Sequence, residues 1–155
     1  MFNRSLLMLT LLLVSAGMIS ACNGDTTTDT GDGAVTDGDM AGTSDVTVMT
    51  LDAFAFEPAT LSAAAGQEVN LTLDNTGQAL EHTWVLLTQD ETPETALTVL
   101  DVGEDERKLF EMRVQPGETA SSTFTAPETS GAYVVVCAVA GHAVGGMVGT
   151  LNITP

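Results

Sequence analysis

Short β-forming segments separated by turns dominate this chain from residue 46 to its last residue. Residues 46–51 alternate apolar and polar side chains, and residues 82–87 form an apolar, β-prone run. Turn residues such as those at 74–77 separate successive segments. Strands that recur with turns about every 8–12 residues are typical of antiparallel sandwiches and barrels. The predicted strands are 46–51, 54–56, 69–73, 82–87, 119–125, 133–137 and 147–153.

One stretch between the strands has a different pattern. Residues 92–113 contain Pro93 followed by Glu94, and then a charged run at 104–108. A proline in the first turn with acidic residues after it is a signal for the start of a helix. We therefore predict an all-β sandwich with one short helical insertion.

The charge balance excludes several classes of protein. The 155 residues include 21 Asp and Glu against four Lys and Arg, which gives a formal net charge of −17. Binding to nucleic acid requires basic side chains that neutralise phosphates, so this composition argues against a nucleic-acid partner. It equally disfavours electrostatic docking on anionic lipid. With two cysteines, the chain cannot form a disulfide-rich scaffold or a four-cysteine metal site.

The N-terminus has the layout of a bacterial export signal. Arg4 precedes an apolar run at 6–14 that is too short to span a bilayer comfortably. Residues 19–22, Ile-Ser-Ala-Cys, resemble the lipobox in which the cysteine is acylated. We predict a signal peptide at 1–21 and lipidation of Cys22. An ordinary cleavage site and an uncleaved anchor are the alternatives.

An acidic segment with few apolar residues follows this cysteine. Residues 23–45 contain six Asp, six Thr and five Gly and show no hydrophobic period. Such a composition buries too little apolar surface to fold by itself. We predict that 22–45 form the lipid-anchored cysteine and a disordered acidic tether, and that 46–155 form the folded domain.

The residues with metal-binding chemistry cluster near the C-terminus. Cys137, His142 and Met147 are spaced five residues apart, after a strongly apolar predicted strand. The only other histidine in the sequence, His82, begins another predicted strand. Two imidazoles and a thiolate in one plane, with a weak axial thioether, form a typical site for a redox-active copper ion. Taken singly, each residue has a structural alternative: a small buried hydrophobe, a hydrogen-bonded histidine or a core methionine.

These features together resemble the cupredoxin family of type 1 blue copper proteins, and within it most closely the auracyanin, azurin and rusticyanin type. The resemblance implies an eight-stranded Greek-key sandwich with one copper ion at one end, held by His82, Cys137, His142 and Met147. The family usually has an asparagine after the first histidine, whose amide helps to hold the ligand loop, and this chain has Thr83 there. The matching segments are 56–58, 65–69, 74–77, 82–86, 124–127, 131–133 and 137–147.

The resemblance implies an electron carrier and not an enzyme, since four protein ligands leave no open position for a substrate. The predicted function is the transfer of one electron at a time through Cu(I) and Cu(II) between redox partners, such as a cytochrome or a membrane electron-transfer complex. The alternatives are a lipoprotein that delivers or stores copper, and a metal-free structural sandwich in which Cys137 is inert.

The residues around the predicted site indicate how a redox partner would dock. Small, uncharged residues flank His142 at 140–146, and we predict that they form a neutral docking face for redox partners. The segment 46–155 holds 15 of the 21 acidic residues and three basic ones, so it could steer toward a basic partner, or its acidity could reflect a saline habitat. We expect an exported, lipid-anchored monomer on the outer face of the cytoplasmic membrane or in the periplasm or cell envelope.

Overall fold

The computed structural model describes residues 42–99 and 105–155, which belong to one compact unit. Within these residues the chain forms nine strands and one short helix. The strands are β1 (Ser44–Leu51), β2 (Ala55–Glu57), β3 (Thr60–Ala64), β4 (Glu68–Asp74), β5 (His82–Leu87), β6 (Lys108–Val114), β7 (Thr119–Thr125), β8 (Gly131–Val136) and β9 (Val148–Thr154), and the helix α1 (Pro93–Ala96) lies between β5 and β6.

The strands form two sheets. One sheet has the order β2-β1-β4-β7, and the other has the order β3-β9-β8-β5-β6. The predicted all-β sandwich with a short helical insertion is confirmed, although the sequence predicts about eight strands. Two pairs, β1 with β4 and β3 with β9, are parallel. Two parallel neighbouring strands need a long connection between them. The alternation of side chains along one strand does not indicate whether its neighbour is parallel.

Two of the observed strands, β3 and β6, are missing from the sequence prediction. β6 lies at the end of the segment that the sequence assigns to the helical insertion. It pairs with β5 along its length, and Met112 and Val114 are buried while their neighbours in sequence are exposed. This period-2 alternation is the overlooked signal. The helix itself covers only Pro93–Ala96 and is capped by Thr92, so its predicted start is confirmed and it is short.

Strand β5 lies at the centre of the core. All six of its residues are buried. On one face, Trp84 packs against Phe110 and Phe124, with ring centroids 6.2 Å and 5.8 Å away. On the other face, alternate residues join a second buried cluster that includes part of α1. The ladder with β6, which runs from His82 opposite Val114 to Leu87 opposite Lys108, fixes the position of His82 at the start of this strand.

A buried asparagine fixes the turn that leads into β5. The side-chain amide of Asn75 donates hydrogen bonds to the carbonyl oxygens of Leu80 and Gln115, at 2.8 Å and 2.9 Å. The turn predicted at 74–77 is therefore present and is tied to two other parts of the chain. This tie holds the backbone immediately before His82.

The predicted signal peptide at 1–21, Cys22 and most of the predicted tether lie outside the described residues. β1 begins at Ser44, so the last two residues assigned to the tether belong to a sheet. Asp45 pairs with Asn70 of β4 and accepts a hydrogen bond from its side-chain amide at 2.9 Å. In the described part of the chain, no helix has the length and apolar character needed to cross a membrane.

Candidate metal centre

Two neighbouring strands bring His82 and Cys137 together. His82 is the first residue of β5, and Cys137 directly follows the last residue of β8. The two strands are antiparallel neighbours, so the start of one and the end of the other lie at the same edge of the sheet. His142 and Met147 follow on the loop that connects β8 to β9.

Three donor atoms converge at this edge. Nδ1 of His82 lies 3.2 Å from Nδ1 of His142, and Sγ of Cys137 lies 4.0 Å from the first nitrogen and 3.5 Å from the second. A triangle with these sides has an interior point about 2.1 Å from each corner, and nitrogen and sulfur ligands lie about 2.0–2.3 Å from a metal such as zinc. The three donors therefore fit one transition-metal ion without rearrangement.

Burial favours the neutral form of both imidazoles. His82 is fully buried, and His142 is 7% exposed. Desolvation lowers the pKa of His82, although the Asp52 carboxylate beside it acts in the opposite direction. Desolvation also lowers the pKa of His142, and repulsion by a charged His82 lowers it further. A neutral imidazole has the lone pair that a metal requires, so burial favours the form of each ring that can bind a metal ion.

The loop that carries the three C-terminal site residues closes on itself. The N–H of Cys137 donates to the carbonyl of Met147, and the N–H of Met147 donates to the carbonyl of His142, both at 3.0 Å. Gly141 and Gly146 have φ of 87° and 108°, a region that glycine adopts at little cost. Met147 is fully buried in the same core cluster as Cys137. The structure therefore places Met147 at the closing end of this loop.

Thr83 ties the loop to β5. Its hydroxyl accepts a hydrogen bond from the N–H of Ala138 at 2.8 Å and donates to Sγ of Cys137 at 3.8 Å. The backbone N–H of Thr83 also donates to this sulfur, at 3.4 Å. One buried hydroxyl therefore holds the loop, the task that the resemblance implies for an asparagine amide.

The turn between β1 and β2 contacts both histidines. The sequence does not predict this contact. Oδ1 of Asp52 lies 3.4 Å from Nε2 of His82. Phe54 has a φ of 59°, unusual for a bulky side chain, and its ring centroid lies 4.7 Å from that of His142. Gly145 leaves room for this ring, because a Cβ there would collide with Phe54. No local motif marks this turn as part of a site, and only the topology brings it there.

The fold and these donors define a copper-binding β-sandwich protein. Residues 43–154 match a family described as copper binding proteins, the plastocyanin/azurin family, and the chain belongs to that family.

Two auracyanins are similar to this chain. Auracyanin-B of Chloroflexus aurantiacus is 31% identical over 116 residues, which cover 67% of this chain. The match spans about half of that relative, 49% of its length. A solved structure of auracyanin B has a TM-score of 0.64 and 27% identity, and covers 76% of this chain and 93% of its own. Auracyanin A, described as a "blue" copper protein from the same organism, has a TM-score of 0.60 and 25% identity, with 73% of this chain and all of its own covered.

Family membership and the donor set agree on the cofactor. A thiolate with two imidazoles is a combination that suits copper, because the thiolate favours Cu(I) and imidazole accepts both oxidation states. The cluster of His82, Cys137 and His142 fits a single type 1 copper site. The cofactor predicted from the sequence is therefore confirmed, and the chain is a cupredoxin.

Proposed function

We propose that this protein is a membrane-tethered carrier of single electrons, with one type 1 copper ion held by His82, Cys137, His142 and Met147. The observation that carries the proposal is the convergence of two imidazole nitrogens and a thiolate around one buried point. The axial role of Met147 is supported by its burial at the closing end of the loop that holds Cys137 and His142.

The main task of the protein at such a centre is to hold the copper ligands in fixed positions. Copper with these ligands alternates between Cu(I) and Cu(II) and so carries one electron at a time. Thr83 and the hydrogen bonds that close the loop hold Cys137 in place, while burial keeps water away from the sulfur. A complete set of four protein ligands leaves no position for a substrate, which favours electron transfer over catalysis.

Addition of Cu(II) to the purified protein, followed by visible spectroscopy, tests the proposal. We expect intense thiolate-to-copper charge-transfer absorption. Cys137→Ser should abolish this absorption, because it removes the thiolate. Cys22→Ser is the matched control and should leave it unchanged. Equal loss of the band in both variants, or a band that survives in Cys137→Ser, would contradict the assignment of the thiolate.

The same experiment separates the alternatives. A protein that binds Cu(II) and gives it up readily to a chelator, without stable cycling between the two oxidation states, would be a delivery or storage protein. A protein that takes up no copper would be a structural sandwich. Stable cycling in the presence of a chelator supports the electron carrier.

We further propose that electrons enter and leave at the edge of His142. Among the four proposed ligands this residue alone has measurable exposure, at 7%. Val144 on the same loop is 72% exposed and uncharged, whereas Ala143 is buried, so Val144 is the apolar contact that a partner meets.

The rate of electron self-exchange between oxidised and reduced copies tests this docking face. Val144→Asp should slow it about tenfold or more, because like charges brought together at an interface cost several kcal/mol. Leu109→Asp adds the same charge to an exposed residue of β6 and serves as control. Equal rates in the two variants, with unchanged absorption, would exclude the Val144 face.

The proposed location is the cell envelope, with the domain held by a lipid anchor. The lipobox-like residues 19–22 support acylation of Cys22, and the acidic composition of the segment between Cys22 and β1 supports a tether. The proposed partners are a cytochrome or a membrane electron-transfer complex. The acidity of the folded segment favours a partner with a basic surface, since complementary charge speeds encounter.

A further inference from the structure

The two nitrogens of His82 face different groups. Nδ1 points into the donor cluster, 3.2 Å from Nδ1 of His142 and 4.0 Å from Sγ of Cys137. Nε2 points to Oδ1 of Asp52, at 3.4 Å. An imidazole that donates its Nε2–H to a carboxylate keeps the lone pair on Nδ1. The contact with Asp52 therefore selects the tautomer that can bind a metal through Nδ1.

Asp52 is itself held in place by the backbone of another turn. Its Oδ2 accepts a hydrogen bond from the N–H of Ala79 at 2.8 Å, and its Oδ1 accepts one from the N–H of Leu80 at 3.1 Å. The N–H of Asp52 donates to the side chain of Gln78 at 2.9 Å. These bonds connect the turn after β1 to the turn before β5, so the carboxylate has a fixed orientation toward His82.

We propose that Asp52 is a positioning residue for the metal centre: its carboxylate orients His82 and places a negative charge beside it that favours the more highly charged state of the ion. This inference rests on the proposed function. A carboxylate partner of a ligand histidine fixes the ring and raises its basicity, and loss of such a partner typically lowers metal affinity about 10–100-fold. A nearby negative charge stabilises Cu(II) more than Cu(I), so its removal should raise the reduction potential.

The first measurement uses the metal-free wild-type protein. Nitrogen NMR of the imidazole rings reports which nitrogen of His82 carries the proton. We expect the Nε2–H tautomer at His82, and a mixture of tautomers in Asp52→Ala, which lacks the acceptor. A wild-type ring protonated at Nδ1 would overturn the proposal, and this result needs neither copper nor a variant that folds.

The second measurement compares two variants that each lose one negative charge near His82. Asp52→Asn should lower the affinity for Cu(II) about 10–100-fold and raise the reduction potential. Glu81→Gln is the control, because the Glu81 carboxylate faces Arg113 at 3.3 Å and accepts from Gln115 at 3.4 Å. It should leave the affinity close to that of the wild type and shift the potential by less than Asp52→Asn does, because Glu81 acts through charge alone, whereas Asp52 also accepts a hydrogen bond from the His82 ring.

The outcomes separate the inference from the proposed function. Equal shifts of potential in Asp52→Asn and Glu81→Gln would mean that only general charge acts, and would overturn the positioning role of Asp52. A wild-type protein that takes up no copper would remove the electron carrier. In that case the tautomer of His82 in the metal-free protein still decides whether Asp52 positions the ring.

Discussion

The two histidines of the metal centre present the same nitrogen to the same point but are held in different ways. His82 begins a strand that is buried on both faces, and a carboxylate stands behind its ring. His142 lies on a loop whose own backbone bonds close it, and its ring packs against Phe54. The sheet thus fixes His82, which with β5 forms the strand-borne half of the site. A short loop that reaches the surface, residues 137–147, forms the loop-borne half.

This difference separates two tasks of an electron carrier. The strand-borne half fixes one donor in the interior, where the sheet determines its position. The loop-borne half supplies Cys137, His142 and Met147 within eleven residues of chain and also carries the exposed Val144. Function is commonly carried by loops that a rigid scaffold positions. Thr83 is the direct link between the two halves, since it hydrogen-bonds to both residues that follow β8.

The largest expected effect compares the stability contributed by each half. Leu86 in β5 is 1% exposed, and Leu86→Ala should lower the free energy of unfolding by about 2–5 kcal/mol, because it leaves a cavity in the core. Val144→Ala on the loop should change it by less than about 0.5 kcal/mol, since this side chain is exposed. Urea unfolding of both variants checks the contrast. Similar losses would mean that the loop contributes to the core as much as β5.

The next effect concerns the link between the halves. Thr83→Val removes the hydroxyl that accepts from the buried N–H of Ala138, and should cost about 1–3 kcal/mol of unfolding free energy. It also removes a donor to the sulfur of Cys137, so we expect the charge-transfer band to move to longer wavelength. Urea unfolding and visible spectroscopy measure the two effects.

Thr83→Ser is the matched control for this link, because it keeps the hydroxyl. It should retain most of the stability and the position of the band. A serine variant that behaves like the valine variant would show that the methyl group matters and the hydroxyl does not.

The contrast between the halves also explains what could be predicted from the sequence. The ligands of the loop-borne half are close together in sequence, so the spacing of Cys137, His142 and Met147 predicts them. The strand pattern places His82 at the start of β5. Asp52 and Phe54 escape prediction because their role depends on how β1 and β2 lie relative to β5, which no local period records. Strand β6 escapes for another reason, since Pro93 and the charged run after it suggest a helix more strongly than the alternation suggests a strand.

The smallest expected effect tests whether the far end of β5 is independent of the metal end. Arg107, whose carbonyl accepts from Thr88 just beyond this strand, binds Asp105 through Nη2 at 2.6 Å and through Nε at 2.9 Å. These bonds, together with one from the backbone N–H of Arg107, lower the pKa of Asp105 from 3.8 to about 2. A carboxyl with a lowered pKa in the folded state contributes stability above its ordinary pKa, and that contribution is lost as the pH falls through the folded value.

Arg107→Gln should therefore cause a modest fall in melting temperature at neutral pH, and its difference from the wild type should shrink between about pH 4 and pH 2. The visible spectrum should not change, because six residues of strand put about 17 Å between this end and His82. Thermal melts at several pH values and one absorption spectrum at neutral pH are sufficient. A difference that persists undiminished at pH 2 would assign the stabilisation to the Arg107 contact with Thr98 (3.1 Å) and not to Asp105. A shifted charge-transfer band would mean that β5 transmits changes along its length, and that the strand-borne half of the site is less rigid than its burial implies.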